Sequence, residues 1–95
     1  MKIDETILQQ AIDTWGINAQ CEMIEEECME LALALQKFKR TRGNKEDKYA
    51  NIIDEIADVT IMILQAQRIF DADMIQERID FKMNRLKVRL TEKNN

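Results

Sequence analysis

The feature that most constrains the fold of this chain is the near absence of residues that interrupt helices. Its 95 residues include no Pro and only two Gly, whereas Glu, Lys, Leu, Met, Gln and Ala are abundant. Pro and Gly are the most costly residues in a helix interior, and the abundant types are good helix formers. The sequence therefore predicts an all-α fold, organised as one domain over residues 1–95.

Short breaks in the apolar pattern divide the first half of the chain into two predicted helices. The first spans about residues 4–15, with Asp4 as its N-cap and Gly16 as its stop. The second opens after Asn18 and continues to about residue 42, where Gly43 can adopt the left-handed conformation that ends helices.

The second half of the chain predicts two more helices. Asn44 can cap a third helix over about residues 44–70. Asp73 with Gln76 three positions later resembles a capping box, which predicts the start of a fourth helix. The sequence thus predicts a four-helix bundle.

The later three helices each carry an apolar row at helical spacing, which predicts the core. These rows are Ile24, Cys28, Leu31, Leu35 and Phe38; Ile52, Ile56, Val59 and Ile63; and Ile75, Ile79, Leu86 and Leu90. The segment VTIMIL at 59–64 is apolar almost all round, so its helix needs cover on several sides. For so short a chain, a second subunit is a reasonable source of that cover, and we expect a homodimer or homotetramer.

Charge and hydropathy limit the classes of partner. The net charge is −4 and the pI is about 4.8, so no strongly basic surface is available for nucleic acid. The longest stretch without a charged residue, 59–67, is far shorter than the roughly 20 residues of a membrane span. Asp4 and Glu5 are atypical of a signal peptide, so we expect a cytoplasmic protein with no membrane partner.

The cysteine and histidine content limits the chemistry. Cys21 and Cys28 lie about 10 Å apart along one predicted helix, too far for a mutual disulfide. The chain has no His, so its own residues form neither a His-containing zinc site nor a His-based nucleophilic triad. Reduced cysteines in a cytoplasmic protein are the expectation.

Acidic residues occur next to both central apolar rows. The second helix carries a neighbouring row of Gln20, Met23, Glu27, Glu30, Ala34 and Lys37, and the third carries Asn51, Glu55, Asp58, Met62 and Ile69. In each helix two carboxylates stand three residues apart, which places them about 5–6 Å apart on one face. If these faces pack together, four carboxylates meet in a partly dehydrated space.

Four unpaired carboxylates at short range raise one another's pKa and oppose folding unless a cation offsets them. Mg²⁺, or Mn²⁺ in its place, accepts carboxylate and water oxygens and also binds phosphate oxygens. The ordinary alternative is that these acids occupy solvated helix faces, as charged residues usually do. A related alternative is a non-enzymatic helical oligomerisation or binding module, whose acids meet Lys and Arg of a partner.

The segments AQCEMIEEECMELALAL at 19–35 and IIDEIADVTIMILQ at 52–65 resemble the MazG-type all-α nucleoside triphosphate pyrophosphohydrolases, particularly the compact single-domain versions of phages and prophages. That family's signature is EExxE, a spacer, and ExxD. Here it is matched by Glu26, Glu27 and Glu30, followed by Glu55 and Asp58. The resemblance extends from Trp15 to the KxxR at Lys82 and Arg85.

The resemblance implies a MazG-like bundle and Mg²⁺-dependent conversion of (d)NTP to (d)NMP and pyrophosphate. It implies that Glu27, Glu30, Glu55 and Asp58 ligate the metal, with Glu26 as an auxiliary group. Such phosphoryl chemistry depends on positioning and electrostatics and needs no covalent nucleophile. Within the same enzyme class, a phosphoribosyl-ATP pyrophosphohydrolase is an alternative, although the segment after Asp58 lacks the His and Tyr associated with that group.

Several further residues are candidate substrate ligands. Lys82, Arg85 and Arg89 form a basic row on the fourth helix, and the resemblance implies phosphate binding for Lys82 and Arg85, with Lys37 in support; a solvated helix face is the alternative. Trp15 is a candidate for stacking on a base, although its spacing in the first helix favours core packing. Gln20 and Asn51 are candidates to contact base, sugar or metal-bound water, or to satisfy buried backbone groups.

Overall fold

The computed structural model describes residues 2–94, so the two end residues of the predicted domain lie outside it. The described part is all helical, which confirms the predicted class. Its helices are α1 (Glu5–Trp15), α2 (Ile17–Arg40), α3 (Glu46–Ile69) and α4 (Ala72–Asn94). Within residues 2–94, no helix combines the length and apolar character needed to cross a bilayer.

The ends of α1 are those that the sequence predicts. The Asp4 carboxylate accepts a hydrogen bond of 3.0 Å from the backbone N–H of Thr6, and the helix ends at Gly16, whose φ is 86°. A positive φ costs Gly little because Gly has no Cβ. Gly16 also flanks α2, which begins at Ile17 and therefore earlier than predicted.

The remaining helix boundaries differ from the prediction in three places. Gly43 does not end α2, because the helix stops at Arg40, and the hydroxyl of Thr41 donates to the Lys37 carbonyl (2.6 Å). Asp73 is not the cap of α4: the carboxylate of Asp71 accepts from the backbone N–H of Met74 (3.0 Å). Asn44 is not the N-cap of α3, because that position is Lys45, which makes no side-chain capping hydrogen bond. The Asn44 side chain accepts instead from the N–H of Glu46, the first residue of the helix (2.9 Å).

The core lies along the contact between α2 and α3 and where α1 packs on that pair. Helices α2 and α3 are connected by the short segment 41–45 and pack side by side, so they run in opposite directions. The buried apolar residues are Leu8, Ile12, Ala34, Ile52 and Met62. The Gln65 amide Nε2 donates to the Leu8 carbonyl at 3.3 Å, and Arg68 donates to Gln9 at 3.1 Å. These polar contacts join α1 to α3.

The predicted core rows of α2 and α3 are only partly buried. Ile52 is buried, and Ile24, Leu31, Phe38 and Val59 are half-buried. Cys28 and Leu35 are exposed, and Ile56 and Ile63 remain 48% and 42% exposed. The reason is that the two helices face each other through rows that include Gln20, Ala34 and Met62, which leaves part of the apolar rows at the edge of the pair.

Helix α4 extends away from the other helices. It contacts only α3, and every residue from Gln76 to Asn94 is exposed. Ile79, Leu86 and Leu90 therefore do not enter the core of their own chain, contrary to the prediction. The radius of gyration is 16.7 Å, whereas a compact chain of this length has about 12 Å.

Candidate metal centre

The acidic residues of α2 and α3 meet across the helix pair. Glu27, Glu55 and Asp58 each offer a carboxylate oxygen, and these oxygens all lie within 4.8 Å of one another. The convergence follows from the sequence, because Glu55 and Asp58 are three residues apart on one face of α3 while α2 presents Glu27 to that face. We call these three residues, together with the neighbouring Glu30, the carboxylate cluster.

Two oxygens of the carboxylate cluster are buried and unpaired. The Oε2 atoms of Glu27 and Glu55 are inaccessible to solvent and have no hydrogen-bond partner within the described residues. A buried acceptor without a partner carries a desolvation cost that native proteins normally avoid. The arrangement therefore calls for a ligand that supplies positive charge or hydrogen-bond donors.

The environment of the cluster disfavours ionisation of two of its members. Burial raises the pKa of Glu27 above its ordinary value, and the negative charges of Glu30, Asp58 and Glu55 raise it further. Burial is also the largest cause of the raised pKa of Glu55, followed by the charges of Glu30, Asp58 and Asp54. Among the neighbouring charges, that of Glu30 contributes most to the raised pKa of both residues.

No basic side chain offsets this charge within residues 2–94. The ion pair in that part of the chain joins Arg68 to Glu5 at 3.8 Å, between α3 and α1. A divalent cation that prefers oxygen ligands fits the arrangement, because the buried Oε2 atoms would coordinate it. Its charge would also reduce the repulsion that raises the pKa of Glu27 and of Glu55. Glu27, Glu55 and Asp58 are the residues placed to hold it, with Glu30 beside them.

An apolar groove begins about one helical turn from the cluster, where Met62 follows Asp58 on α3. Its volume is about 540 Å³, within the range of small-molecule sites. Trp15 forms part of its wall and is 66% exposed, so the core position that its spacing favoured is wrong. The lining is Ala11, Trp15, Ala19, Gln20, Glu22, Met23, Glu26, Ile61, Met62 and Gln65. We call it the Trp15 groove.

The Trp15 groove gathers three of the residues that the sequence singled out. Trp15 and Gln20 both line it, and Gln20 is buried. Glu26, predicted as an auxiliary group of the metal site, also lies here rather than among the three converging carboxylates. An indole face, buried amides and apolar side chains suit a flat ligand that carries hydrogen-bonding groups.

The other predicted substrate ligands lie outside both features. Asn51 precedes Glu55 by one turn and is exposed, and Lys37 is exposed about two turns beyond Glu30. Lys82 and Arg85 lie on the section of α4 that is exposed throughout. The structure thus gathers the carboxylates and one side of a groove, and it leaves the predicted phosphate ligands apart.

Gln65 is a functional candidate that the sequence reasoning missed. It lines the Trp15 groove and is buried, and its Oε1 has no hydrogen-bond partner among residues 2–94. The signal was present in the sequence. Gln65 lies three residues after Met62 and seven after Asp58, on the acidic row of α3, and it directly follows the apolar segment VTIMIL.

Comparison of this chain with protein-family models, with curated proteins and with solved structures finds no match. The resemblance to MazG-type enzymes therefore stays a prediction that rests on the motif residues.

Proposed function

We propose that this chain is a Mg²⁺-dependent nucleoside triphosphate pyrophosphohydrolase that converts (d)NTP to (d)NMP and pyrophosphate, with Mn²⁺ as a possible substitute. The observation that carries the proposal is the carboxylate cluster, in which two buried and unpaired oxygens lie where helices α2 and α3 meet. The EExxE and ExxD motifs support the same assignment, because Glu27 of the first motif and both acids of the second are the residues that converge.

The residues of the carboxylate cluster have distinct roles in metal binding and catalysis. When bound, Mg²⁺ supplies charge neutralisation at the phosphoanhydride and lowers the pKa of a coordinated water. Glu27, Glu55 and Asp58 would hold the ion from both helices, and Glu30 would add negative charge beside it. Fixed carboxylates on two packed helices position the reacting groups in advance, which is the main catalytic requirement for phosphoryl chemistry.

The Trp15 groove supports a nucleotide as the substrate. Gln65 lies about 10 Å along α3 from Asp58, so the far end of the groove is separated from the cluster by roughly the length of a sugar and its first phosphates. A base in the groove would stack on the exposed indole of Trp15. It would also give the buried Gln65 Oε1 a donor that no residue between 2 and 94 provides.

We further propose that the chain self-associates as a homodimer or homotetramer. Its accessible surface is 7855 Å², whereas a compact monomer of this mass exposes about 5,700 Å². The excess is about 2,200 Å² for each chain, and for two chains it falls in the range of obligate homodimer interfaces. Ile56 and Ile63, which are apolar and exposed on α3, are candidates for that contact.

The enzymatic proposal is tested by incubating the protein with a panel of canonical and modified nucleoside triphosphates and Mg²⁺, and measuring pyrophosphate against orthophosphate. We expect pyrophosphate and the nucleoside monophosphate in equal amounts, and no turnover in chelator. Asp58→Asn should abolish turnover. Asp54→Asn is the matched control, because Asp54 lies one turn earlier on α3 and outside the three converging carboxylates.

Orthophosphate as the main product would contradict pyrophosphohydrolase chemistry. Equal loss of activity in the two variants would mean that removal of any acid from α3 acts through overall charge rather than through the cluster. Absence of turnover for every nucleotide, with no effect of Mg²⁺ on the melting temperature, would favour the non-enzymatic oligomerisation module.

A further inference from the structure

Helix α4 carries two adjacent rows of side chains that are exposed from Gln76 onward. One row is apolar and the other is basic, at the spacing of one helical face each. The apolar row is Ile75, Ile79, Met83, Leu86 and Leu90, and the basic row is Arg78, Lys82, Arg85 and Arg89. A groove of about 400 Å³ runs between them and is lined by members of both rows together with no residue of another helix.

A helix of this kind needs a partner. From Gln76 onward α4 is exposed throughout, whereas most of the stability of helices in proteins comes from tertiary packing of an apolar face. The excess accessible surface of the chain, about 2,200 Å² over a compact monomer, shows that the missing cover is large. A second copy of the chain can supply that area, as obligate homodimers do.

Charge indicates which surface of the second copy α4 fits. Residues 78–89 of α4 contain five basic residues and one acidic residue, whereas residues 22–30 of α2 contain five acidic residues and no basic one. The carboxylates of the cluster lack ion-pair partners among residues 2–94. Opposite potentials of this kind guide association and fix orientation.

The surface beside the cluster also offers apolar contacts for the apolar row of α4. Leu33 follows Glu30 by three residues on the same side of α2 and is exposed. A helix lying there would therefore bury apolar side chains while its basic edge faces the carboxylates.

We propose that α4 of a second copy of this chain lies along the α2–α3 pair and brings Lys82 and Arg85 beside the carboxylate cluster, so that each site is built from two chains. The role of Lys82 and Arg85 toward a phosphate-bearing substrate rests on the proposed function. The subunit arrangement does not, because it follows from exposure, area and charge.

Cross-linking between two distinguishable chains tests the arrangement without reference to activity. One chain carries Arg85→Cys and the other carries Leu33→Cys, both in a background of Cys21→Ser and Cys28→Ser. The chains are co-expressed and treated with a short bismaleimide linker. We expect a covalent pair of unlike chains, joined between positions 85 and 33 and identified by peptide mass spectrometry.

Lys87→Cys in place of Arg85→Cys is the matched control. Lys87 is also basic and exposed, but it lies two residues later and so about 200° around the helix, across the apolar row. We expect little cross-linking from position 87. Equal yields from positions 85 and 87, or no pair of unlike chains, would overturn the proposal. So would a link formed within one chain that carries both Arg85→Cys and Leu33→Cys, because α4 would then cover its own α2.

Complementation tests the catalytic consequence. Chains with Glu27→Gln and chains with Lys82→Ala and Arg85→Ala should each be inactive alone. Co-expressed, they should recover about one quarter of wild-type activity, because half of randomly paired dimers are mixed and one of their two sites is intact. If the sites were formed within single chains, no mixture would be active and the shared site would be refuted.

The two experiments distinguish failure of the two-chain arrangement from failure of the proposed function. A specific cross-link from position 85 in a wild-type protein that hydrolyses no nucleotide would leave the two-chain arrangement standing and refute the proposed function. Nucleotide hydrolysis without that cross-link and without complementation would support the proposed function and refute the two-chain arrangement.

Discussion

Gln65 offers a sharp test of how this protein balances stability against binding. The side chain is 3% exposed and lines the Trp15 groove. Its Nε2 donates to the Leu8 carbonyl over a long 3.3 Å, while its Oε1 has no partner among residues 2–94. Met has a similar length and no strong acceptor, so Gln65→Met removes the unpaired oxygen and keeps most of the packing.

The expected change in stability follows from the two groups that are lost. A buried, unsatisfied acceptor costs about 1–3 kcal/mol, and an ordinary hydrogen bond contributes about 0.5–1.5 kcal/mol. The net effect of Gln65→Met is therefore a gain of about 1 kcal/mol in the free energy of unfolding. For a domain of this size that gain raises the melting temperature by about 4–8 °C.

The assay is urea unfolding of the metal-free protein followed by circular dichroism, with Gln67→Met as the control. Gln67 is half-buried on α3 but does not line the Trp15 groove. Gln65→Met should also raise KM for the nucleotide, because the groove loses its acceptor. A loss of stability greater than that of Gln67→Met would refute the reasoning, since it would show that Oε1 has a partner in the assembled protein.

Three further predictions concern the cluster and α4. Burial, followed by the neighbouring carboxylates, raises the pKa of Glu27 and Glu55 above 4.5, so the folded chain holds protons that the unfolded chain releases. The melting temperature in chelator should therefore fall as the pH rises from 4.5 through the raised pKa values. A melting temperature that rises over this pH range would contradict the reasoning. Asp58→Asn should raise the metal-free melting temperature while abolishing turnover, because one repulsive charge is lost. Leu86→Glu should lower the mass measured by sedimentation equilibrium toward that of one chain. Val88→Glu is the control, because Val88 is 48% exposed and Leu86 is 47% exposed. The control should change the mass less, since Val88 lies on the opposite side of α4 from Leu86.

The sequence predicted the helices well because their signals are local. Asp4 and Gly16 bound α1 as expected, since capping by a carboxylate and a left-handed glycine each depend on a few neighbouring residues. The start of α4 was misplaced because Asp71 and Asp73 offer the same capping chemistry two residues apart. The course of the chain after α3 determines that Asp71, and not Asp73, caps α4.

The core was harder to predict than the helices because an apolar row does not say what covers it. Ile56 and Ile63 have the periodicity of core residues, yet they are exposed in the single chain. Leu86 and Leu90 on α4 repeat the pattern. Apolar periodicity indicates that one face of a helix is buried. The same pattern arises whether that face is buried by the chain itself or by a second copy.

The carboxylate cluster was predictable, whereas the Trp15 groove was not. Spacing alone puts Glu55 and Asp58 on one helical face, and packing of α2 on α3 then brings Glu27 to them. The groove requires the position of α1 relative to the other two helices, which no local pattern encodes. Trp15 could be named from the sequence, but its exposure could not.

The most direct measurement of the central claim is isothermal titration of Mg²⁺ into the metal-free protein at neutral pH, with Asp58→Asn and Asp54→Asn alongside. Saturable binding is expected for the wild-type protein and for Asp54→Asn, and its loss is expected for Asp58→Asn. Binding should also stabilise the folded state by about 2.7 kcal/mol at a hundredfold excess over Kd. Titration with no saturable binding by the wild-type protein, or with equal binding by all three proteins, would contradict a metal centre built from Glu27, Glu55 and Asp58.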